Sequence, residues 1–480
     1  MNYNFKLLED VLGNRITTDE FECALYSTDL APLPGIINLL FKTTPDAVVR
    51  PETPEEISEV MKFANKNRIS VTPRASATSA LGGCVPTRGG IVMDMSSMDN
   101  KIEINEKERT VIVSCGVVWK KLEKVLNING LALMTYPSSS PSATVGGWLS
   151  SPGCGVGTLK YRRVHEQVLG MEAVLPDGEI KGYSEKENHK FLGSEGTTGI
   201  ITMVKLKVRE LPESVSPHLL TFDSQEKFAD VIQELVELKP FNISYANRAY
   251  AQMMKDVQGD NTNPDFEFRI LVVFDGNKKE VAESVKKLYK IKKSGGIGVE
   301  PAELAEEEWG DRFNPMRIKR RGPTLLAGDL LVPLSRLNTV ISKLGKININ
   351  GLGIEGSVVS ENKAIVMPMY LTDERKFMDF IFALRHLKKM NDIAVSAGGI
   401  PYGTGLWNSP YVNKILGGEG LKEKTGLKKK IDPHNILNPD KYLGAKLAIP
   451  SLVFHPKMYG LSMFLAEIAA KPLRFVGLIK

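Results

Sequence analysis

The chain is poor in cysteine and histidine, and that scarcity removes several chemistries. Its 480 residues hold four cysteines, Cys23, Cys84, Cys115 and Cys154, and six histidines. The two nearest cysteines, Cys84 and Cys115, are 31 positions apart. No pair therefore has the close spacing of a zinc or iron–sulfur ligand set, and no metal is expected. Ordinary buried thiols in a reducing compartment fit this usage. Uninterrupted apolar stretches of about 18 residues, long enough to span a bilayer, are also missing. The N-terminal stretch MNYNFKLLEDVLGNRITTDEF mixes acids into its apolar residues and has no basic segment leading into an apolar run, which argues against a secretion signal. A cytoplasmic location is the expectation.

A strong charge of one sign is absent too. The net charge is +6, and the excess sits in lysine-rich helical stretches around 285–293 and 421–430. Aromatic residues do not interleave with these runs, so they read as solvated helix faces and nucleic acid is not an expected partner.

What is present is length and small-residue loops. A chain of this length predicts two domains with a C-terminal appendage. Around 54–117 the pattern alternates: PEEISEVMKFANKN has helical spacing with Thr53 as cap and Pro54 at its first turn, and ISVTPR and GGIVMDM read as short buried strands. TVIVSCGVVWKKLEKVLNINGLAL repeats strand then helix, stopping at Gly130. From 213 onward amphipathic helices at 225–237, 278–293 and 373–390 mix with strands such as FEFRILVVFD and KAIVMPMYL. The expected organisation is 1–212 as a first domain in two subdomains, 213–394 as an α+β second domain, and 395–448 as a return to the first. The tail, 449–480, holds an apolar segment too short to span; packing on its own core, docking on a partner subunit and lying on a membrane surface all remain open.

Two loops are candidates for gripping a phosphate-bearing cofactor through main-chain amides: TPRASATSALGG at 72–83 and PSSSPSATVGG at 137–147. Small residues let a backbone approach closely and adopt unusual φ. Neither matches the dinucleotide or phosphate-loop fingerprints.

These loops stand in a longer series: AVVRPETPEEISEVMKFANKNRISVTPR, SATVGGWLSS, VLGMEAVLPDGEI, FLGSEGTTGIIT and IDPHNILNPDKYL. In that order and spacing the chain resembles the vanillyl-alcohol oxidase/para-cresol methylhydroxylase flavoproteins, in the branch of glycolate oxidase flavin subunits and D-lactate dehydrogenases. The resemblance implies an α+β fold: a two-part FAD-binding domain of the para-cresol methylhydroxylase type, plus a substrate or cap domain with an antiparallel sheet. It implies FAD with its diphosphate on Pro73, Arg74, Ala75, Ser76, Ala77, Thr78 and Ser79, and on Pro137, Ser138, Ser139, Ala143, Thr144, Gly146 and Gly147. Ser151, Gly153, Gly199, Ile200, Ile201 and Asn438 would border the cofactor. Some relatives attach flavin through a histidine where this chain has Thr78, and Cys154 does not match the family's cysteine attachment position, so the flavin is expected to be noncovalent.

The substrate side departs from the family. Where relatives carry G-H-x-G-D-G-N-x-H, this chain has Gly356-Ser357-Val358-Val359-Ser360-Glu361-Asn362-Lys363-Ala364, without either histidine. Where relatives carry E-H-G-x-G, it has Pro401-Tyr402-Gly403-Thr404-Gly405, so Tyr402 takes the histidine's place. Trp309, Arg312 and Asp329 keep the spacing of a family carboxylate clamp, with Arg312 as the candidate anion fork; a surface arginine is the other reading. His165 and His434 read as packing or hydrogen-bonding residues. The expected function is an FAD-dependent dehydrogenase oxidising a 2-hydroxy acid such as D-lactate or glycolate. Electrons would then pass to a separate acceptor, a cysteine-rich iron–sulfur subunit or an electron-transferring flavoprotein. Two alternatives stand beside it: a flavin relay subunit without small-molecule chemistry, and a transferase like alkylglycerone-phosphate synthase.

Overall fold

A computed structural model describes residues 3–32, 42–260, 263–292 and 296–443; the tail at 449–480 lies outside them. Among the described residues no helix is long and apolar enough to cross a membrane.

The first subdomain is a small sheet with strand order Ile16–Thr17, Ala47–Val49, Ile91–Asp94, Val71–Arg74, the last three parallel. The predicted helix forms as Pro54–Asn67. Thr53 accepts a hydrogen bond from the Glu56 amide, and Arg68 ends the helix in the left-handed region at φ 54°. Its apolar positions Ile57, Val60, Met61 and Ala64 are fully buried against Val49, Val71 and Ile91, which is why a helical spacing of apolar residues becomes a packed layer here.

The second subdomain is an antiparallel sheet ordered Ile102–Asn105, Thr110–Ser114, Ile200–Lys207, Val168–Val174, Ile180–Ser184. The helix Trp119–Ile128 covers it, with Trp119 fully buried and set edge-on to Trp148 at 5.1 Å between ring centroids.

The cap domain is built on a nine-stranded antiparallel sheet. It opens with Ser214–Phe222 and closes with Ile400–Pro401, beyond the expected boundary at 394. One face is covered by helices Gln225–Glu237, Leu337–Gly345 and Phe377–Ser396, around Phe222, Phe228, Ile270, Val366 and Phe380. The third of these begins later and runs further than the 373–390 read from sequence. Asp373 to Lys376 form a turn in which Asp373 bonds Arg375 rather than starting the helix. The other face of the sheet turns toward the FAD-type domain.

After the sheet, the helix Val412–Ile431 carries the chain back. The Ile436 carbonyl accepts from the Val71 amide and the Asn438 amide donates to the Val71 carbonyl, so residues 436–438 pair with the strand that leads into the first small-residue loop. Lys428, buried, locks this return: its Nζ donates to Asp432 Oδ2 at 2.5 Å, the Leu437 carbonyl at 2.6 Å and the Thr197 carbonyl at 2.8 Å. A fully enclosed ammonium keeps its charge only with partners of this kind.

Candidate active site

The two small-residue loops meet. A Cβ placed on Gly147 would lie 2.7 Å from the Ala75 Cβ, so glycine is required for the loops to close on one another. In the first loop Ala77 turns the chain at φ 51°, a conformation an alanine adopts at some strain. The amides of Ser76, Ala77, Thr78 and Ser79 donate to no acceptor among the described hydrogen bonds. Consecutive amides without described acceptors are what an anionic diphosphate satisfies.

The second loop is different. Its Ser140, Ser142, Ala143, Val145 and Gly146 amides already donate to backbone carbonyls, and the Gly147 amide to Thr144 Oγ1. Only Ser138, Ser139 and Thr144 keep amides without described acceptors. Pro137, Ala143 and Gly146 therefore serve as a closely packed wall. With this correction the residues fit FAD: one loop offers free donors, the other supplies the close approach.

Further candidates fall in three places. Gly153, at φ 76°, has the His165 ring 2.9 Å from where its Cβ would stand. Ser151 bonds the Trp148 carbonyl through both its amide and its hydroxyl. Gly199 packs on Phe191, while Ile200 and Ile201 bury their side chains in separate cores at the head of a strand. Asn438 is engaged by protein: its Nδ2 donates to the Glu195 carbonyl at 2.7 Å and the Gly83 carbonyl at 3.3 Å, while its Oδ1 accepts from Lys441 at 2.6 Å. It fastens the loops rather than offering a free side chain. His165 is held on the Leu149 carbonyl at 3.1 Å, and burial lowers its pKa to about 4, so it stays neutral. His434 is exposed.

Sequence reasoning missed Glu195. It sits at φ 52° in the FLGSEGTTG segment and holds the chain as it leaves the cap sheet: its carboxylate accepts from the Thr404 amide at 2.9 Å and the Gly405 amide at 2.7 Å. Burial raises its pKa to about 7, opposed by those two amides. The signal available was an acidic residue between glycines in an otherwise uncharged run.

Arg312 and Tyr402 are placed apart in their contacts. The Arg312 guanidinium donates to the Trp309 carbonyl at 2.5 Å and the Tyr136 hydroxyl at 3.3 Å, and stacks 3.8 Å from the Trp309 ring and 4.1 Å from Phe313. It is a stacked, partly satisfied arginine rather than an open fork. Tyr402 meets the FAD-type domain just beyond its second loop, at Cys154. Its hydroxyl accepts from the Cys154 amide at 2.6 Å and donates to the Cys154 carbonyl at 3.1 Å. Burial raises its pKa well above the ordinary tyrosine value, so it cannot serve as a base near neutral pH.

Beside it stands Asp329, the third member of the predicted clamp. The Tyr402 amide donates to the Asp329 carbonyl at 2.7 Å. The Asp329 carboxyl has no hydrogen bond among the described residues, its Oδ1 is sealed from solvent, and burial alone raises its pKa to about 7. Arg163 approaches from the other domain, its guanidinium against the Cys154 thiol and near Tyr402. No described carboxylate lies within ion-pair distance of Arg163. Cys154, Leu331, Val359, Ile365, Ile400 and Tyr402 form one apolar cluster around this point, where the cap sheet meets the FAD-type domain. Among the described residues no group of acids, histidines and cysteines has the makings of a metal site.

Comparison with known proteins matches this geometry. Residues 45–183 match the FAD binding domain family and residues 211–442 the C-terminal domain of FAD linked oxidases. The chain is 27% identical over 439 residues to a glycolate oxidase subunit of Bacillus subtilis, covering 87% of this chain and 91% of the relative. It is 24% identical over 463 residues to a mitochondrial D-lactate dehydrogenase (cytochrome) of Arabidopsis thaliana, covering 91% and 79%. In fold it superposes on p-cresol methylhydroxylase with a TM-score of 0.77 at 17% identity, covering 91% of this chain and 95% of that one. An alkyldihydroxyacetonephosphate synthase gives 0.71 at 20%, covering 91% and 85%. The chain binds FAD, belongs to the FAD-linked oxidases and has the fold of p-cresol methylhydroxylase.

Proposed function

We propose that the protein is a dehydrogenase with noncovalently held FAD that oxidises the CH–OH group of a 2-hydroxy acid and passes the electrons to a separate redox protein. The observation that carries this reading is the lone Asp329 carboxyl, raised to about 7 beside Tyr402 and Cys154. When bound, FAD supplies the acceptor for the hydride equivalent leaving the substrate's α-carbon.

The chain's own residues account for the rest. Asp329 takes the hydroxyl proton; a base whose pKa lies near the working pH is suited to this step. Arg163, with no carboxylate partner among the described residues, holds the substrate carboxylate, and a guanidinium fork suits that group. Tyr402, fixed by two bonds to the Cys154 backbone, closes the pocket and keeps Asp329 dry. The product is the 2-keto acid, with one proton on Asp329 and two electrons on the cofactor. The described residues hold no cluster of metal ligands onto which those electrons could move. An iron–sulfur subunit or an electron-transferring flavoprotein is the acceptor this chemistry calls for.

The test is anaerobic mixing of the FAD-loaded protein with D-lactate, glycolate and longer 2-hydroxy acids, followed by flavin absorbance. Bleaching by at least one of them is expected, and Asp329→Asn should slow it by ~10²–10⁴-fold, the usual contribution of a positioned base. A flavin that none of these acids bleaches, but that a reduced redox protein does, replaces this reading with the relay subunit.

A further inference from the structure

The inner face of the cap sheet carries a polar row that ends at Asp329 and Tyr402. Ala246 pairs with both Arg269 and Glu355, and Glu355 pairs with Met367. The register Leu330↔Val366, continued by one residue, sets Asp329 opposite Met367, and Leu330↔Pro401 likewise sets Tyr402 opposite Asp329. Directly opposed residues of an antiparallel sheet share a face, so Arg269, Ala246, Glu355, Met367, Asp329 and Tyr402 form one line across six strands. Apolar residues border it on both sides, Leu331, Val359 and Ile365 on one and Leu325 and Met369 on the other.

Each of the three charged residues in that line has a polar atom sealed from solvent without a hydrogen-bond partner: Asp329 Oδ1, Glu355 Oε2 and Arg269 Nε. Their remaining atoms are only partly engaged. Arg269 pairs with Glu308 at 2.7 Å, and Tyr250 hydrogen-bonds Glu355. Buried polar atoms are seldom left unmet in a folded protein, because each costs about 1–3 kcal/mol. Two of them, Asp329 Oδ1 and Glu355 Oε2, stand two strands apart on one face and mark the places of a ligand's own polar groups.

Resting on the dehydrogenase reading above, we propose that Glu355 forms a distal subsite, and that the substrate is an elongated, polyhydroxylated 2-hydroxy acid of the aldonate class rather than lactate or glycolate. Strands are spaced ~4.8 Å apart, so Asp329 and Glu355 stand about 10 Å apart across the sheet. A two- or three-carbon acid reacting at Asp329 does not reach Glu355, whereas a chain of five or six carbons does. Its far hydroxyls donate to Glu355 Oε2, the bond that atom lacks, while Arg269, two strands further on, lies beyond its reach.

The experiment is isothermal titration calorimetry of the FAD-loaded protein with D-gluconate and with D-lactate, paired with anaerobic flavin reduction by each. D-Gluconate is expected to bind at least tenfold more tightly than D-lactate. Glu355→Gln, with Glu355→Ala as a second change, should reduce that ratio at least tenfold, in protein whose FAD content and melting temperature confirm the fold. Equal affinity for the two acids, or a ratio that both variants leave intact, overturns the subsite. If gluconate binds in a Glu355-dependent way but reduces no flavin, the subsite stands and the oxidation reading falls. If lactate reduces the flavin and gluconate neither binds nor reduces it, the reading stands and the subsite falls.

Discussion

Single residues decide how this site responds to pH. Asp329 has its folded pKa raised from the ordinary aspartate value to about 7 by burial. A raised acid pKa means the folded state binds the proton more tightly than the unfolded chain. The contribution to stability is therefore most favourable below about pH 4 and declines as pH rises toward 7. Catalysis runs the other way, because only the ionised carboxylate accepts a proton. Bleaching by the substrate should accelerate with pH up to an apparent pKa near 7 and then level off, and Asp329→Asn should remove that limb; a pH profile of the reduction rate reads it directly. At pH 8 the same Asn variant should melt at a higher temperature than the parent, since it no longer buries a charge. Arg163→Met should raise the KM for a 2-hydroxy acid by ~10–100-fold, the loss of a charged hydrogen-bonded contact, while Arg312→Met should leave KM unchanged and lower stability through the lost stacking on Trp309 and Phe313.

At the scale of elements, the cofactor loops depend on close approach rather than on any one side chain. Gly147→Ala would drive a methyl to 2.7 Å from the Ala75 Cβ and force the loops apart. The purified variant should carry markedly less FAD, measured as the ratio of flavin to protein absorbance. The helices and strands around these loops were legible in the chain. Thr53, Pro54 and the apolar spacing of Ile57, Val60, Met61 and Ala64 announce Pro54–Asn67, and the structure forms it within those bounds. Gln225–Glu237 is equally plain. The third cap helix was not, because Asp373 pairs locally with Arg375 and delays its start to Phe377. Local hydrogen bonding of an acidic side chain competes with helix initiation, and spacing alone does not reveal which wins.

For the whole molecule, buried charges hold the domains together. Asp275 of the cap sheet, its side chain fully enclosed, accepts from Lys160 at 2.7 Å and from Arg209 at 2.5 Å, both outside the cap. Glu195 fastens the segment that follows the cap sheet, at Thr404 and Gly405. Asp275→Ala leaves two cations without their partner, a change that costs about 3–5 kcal/mol when a buried pair is broken. It should lower the urea midpoint, and limited proteolysis should then cut between the FAD-type and cap domains sooner than in the parent.

The chain by itself determined the family and the cofactor, because those rest on small residues at fixed spacing and on periodic burial, which are local properties of a sequence. It also announced the loss of the family's histidines. What surrounds Tyr402, which stands at one of their positions, was decided only by tertiary structure. Asp329 lies 73 positions before Tyr402, and Arg163 and Cys154 lie in a different domain, yet all four meet where the cap sheet closes on the FAD-type domain. The strand register that lines up Arg269, Glu355 and Asp329 is likewise set by pairing between segments distant in sequence. A shift of one residue in any of those pairings would turn the charged side chains to the opposite face, and no pattern along the chain encodes which pairing the folded sheet adopts.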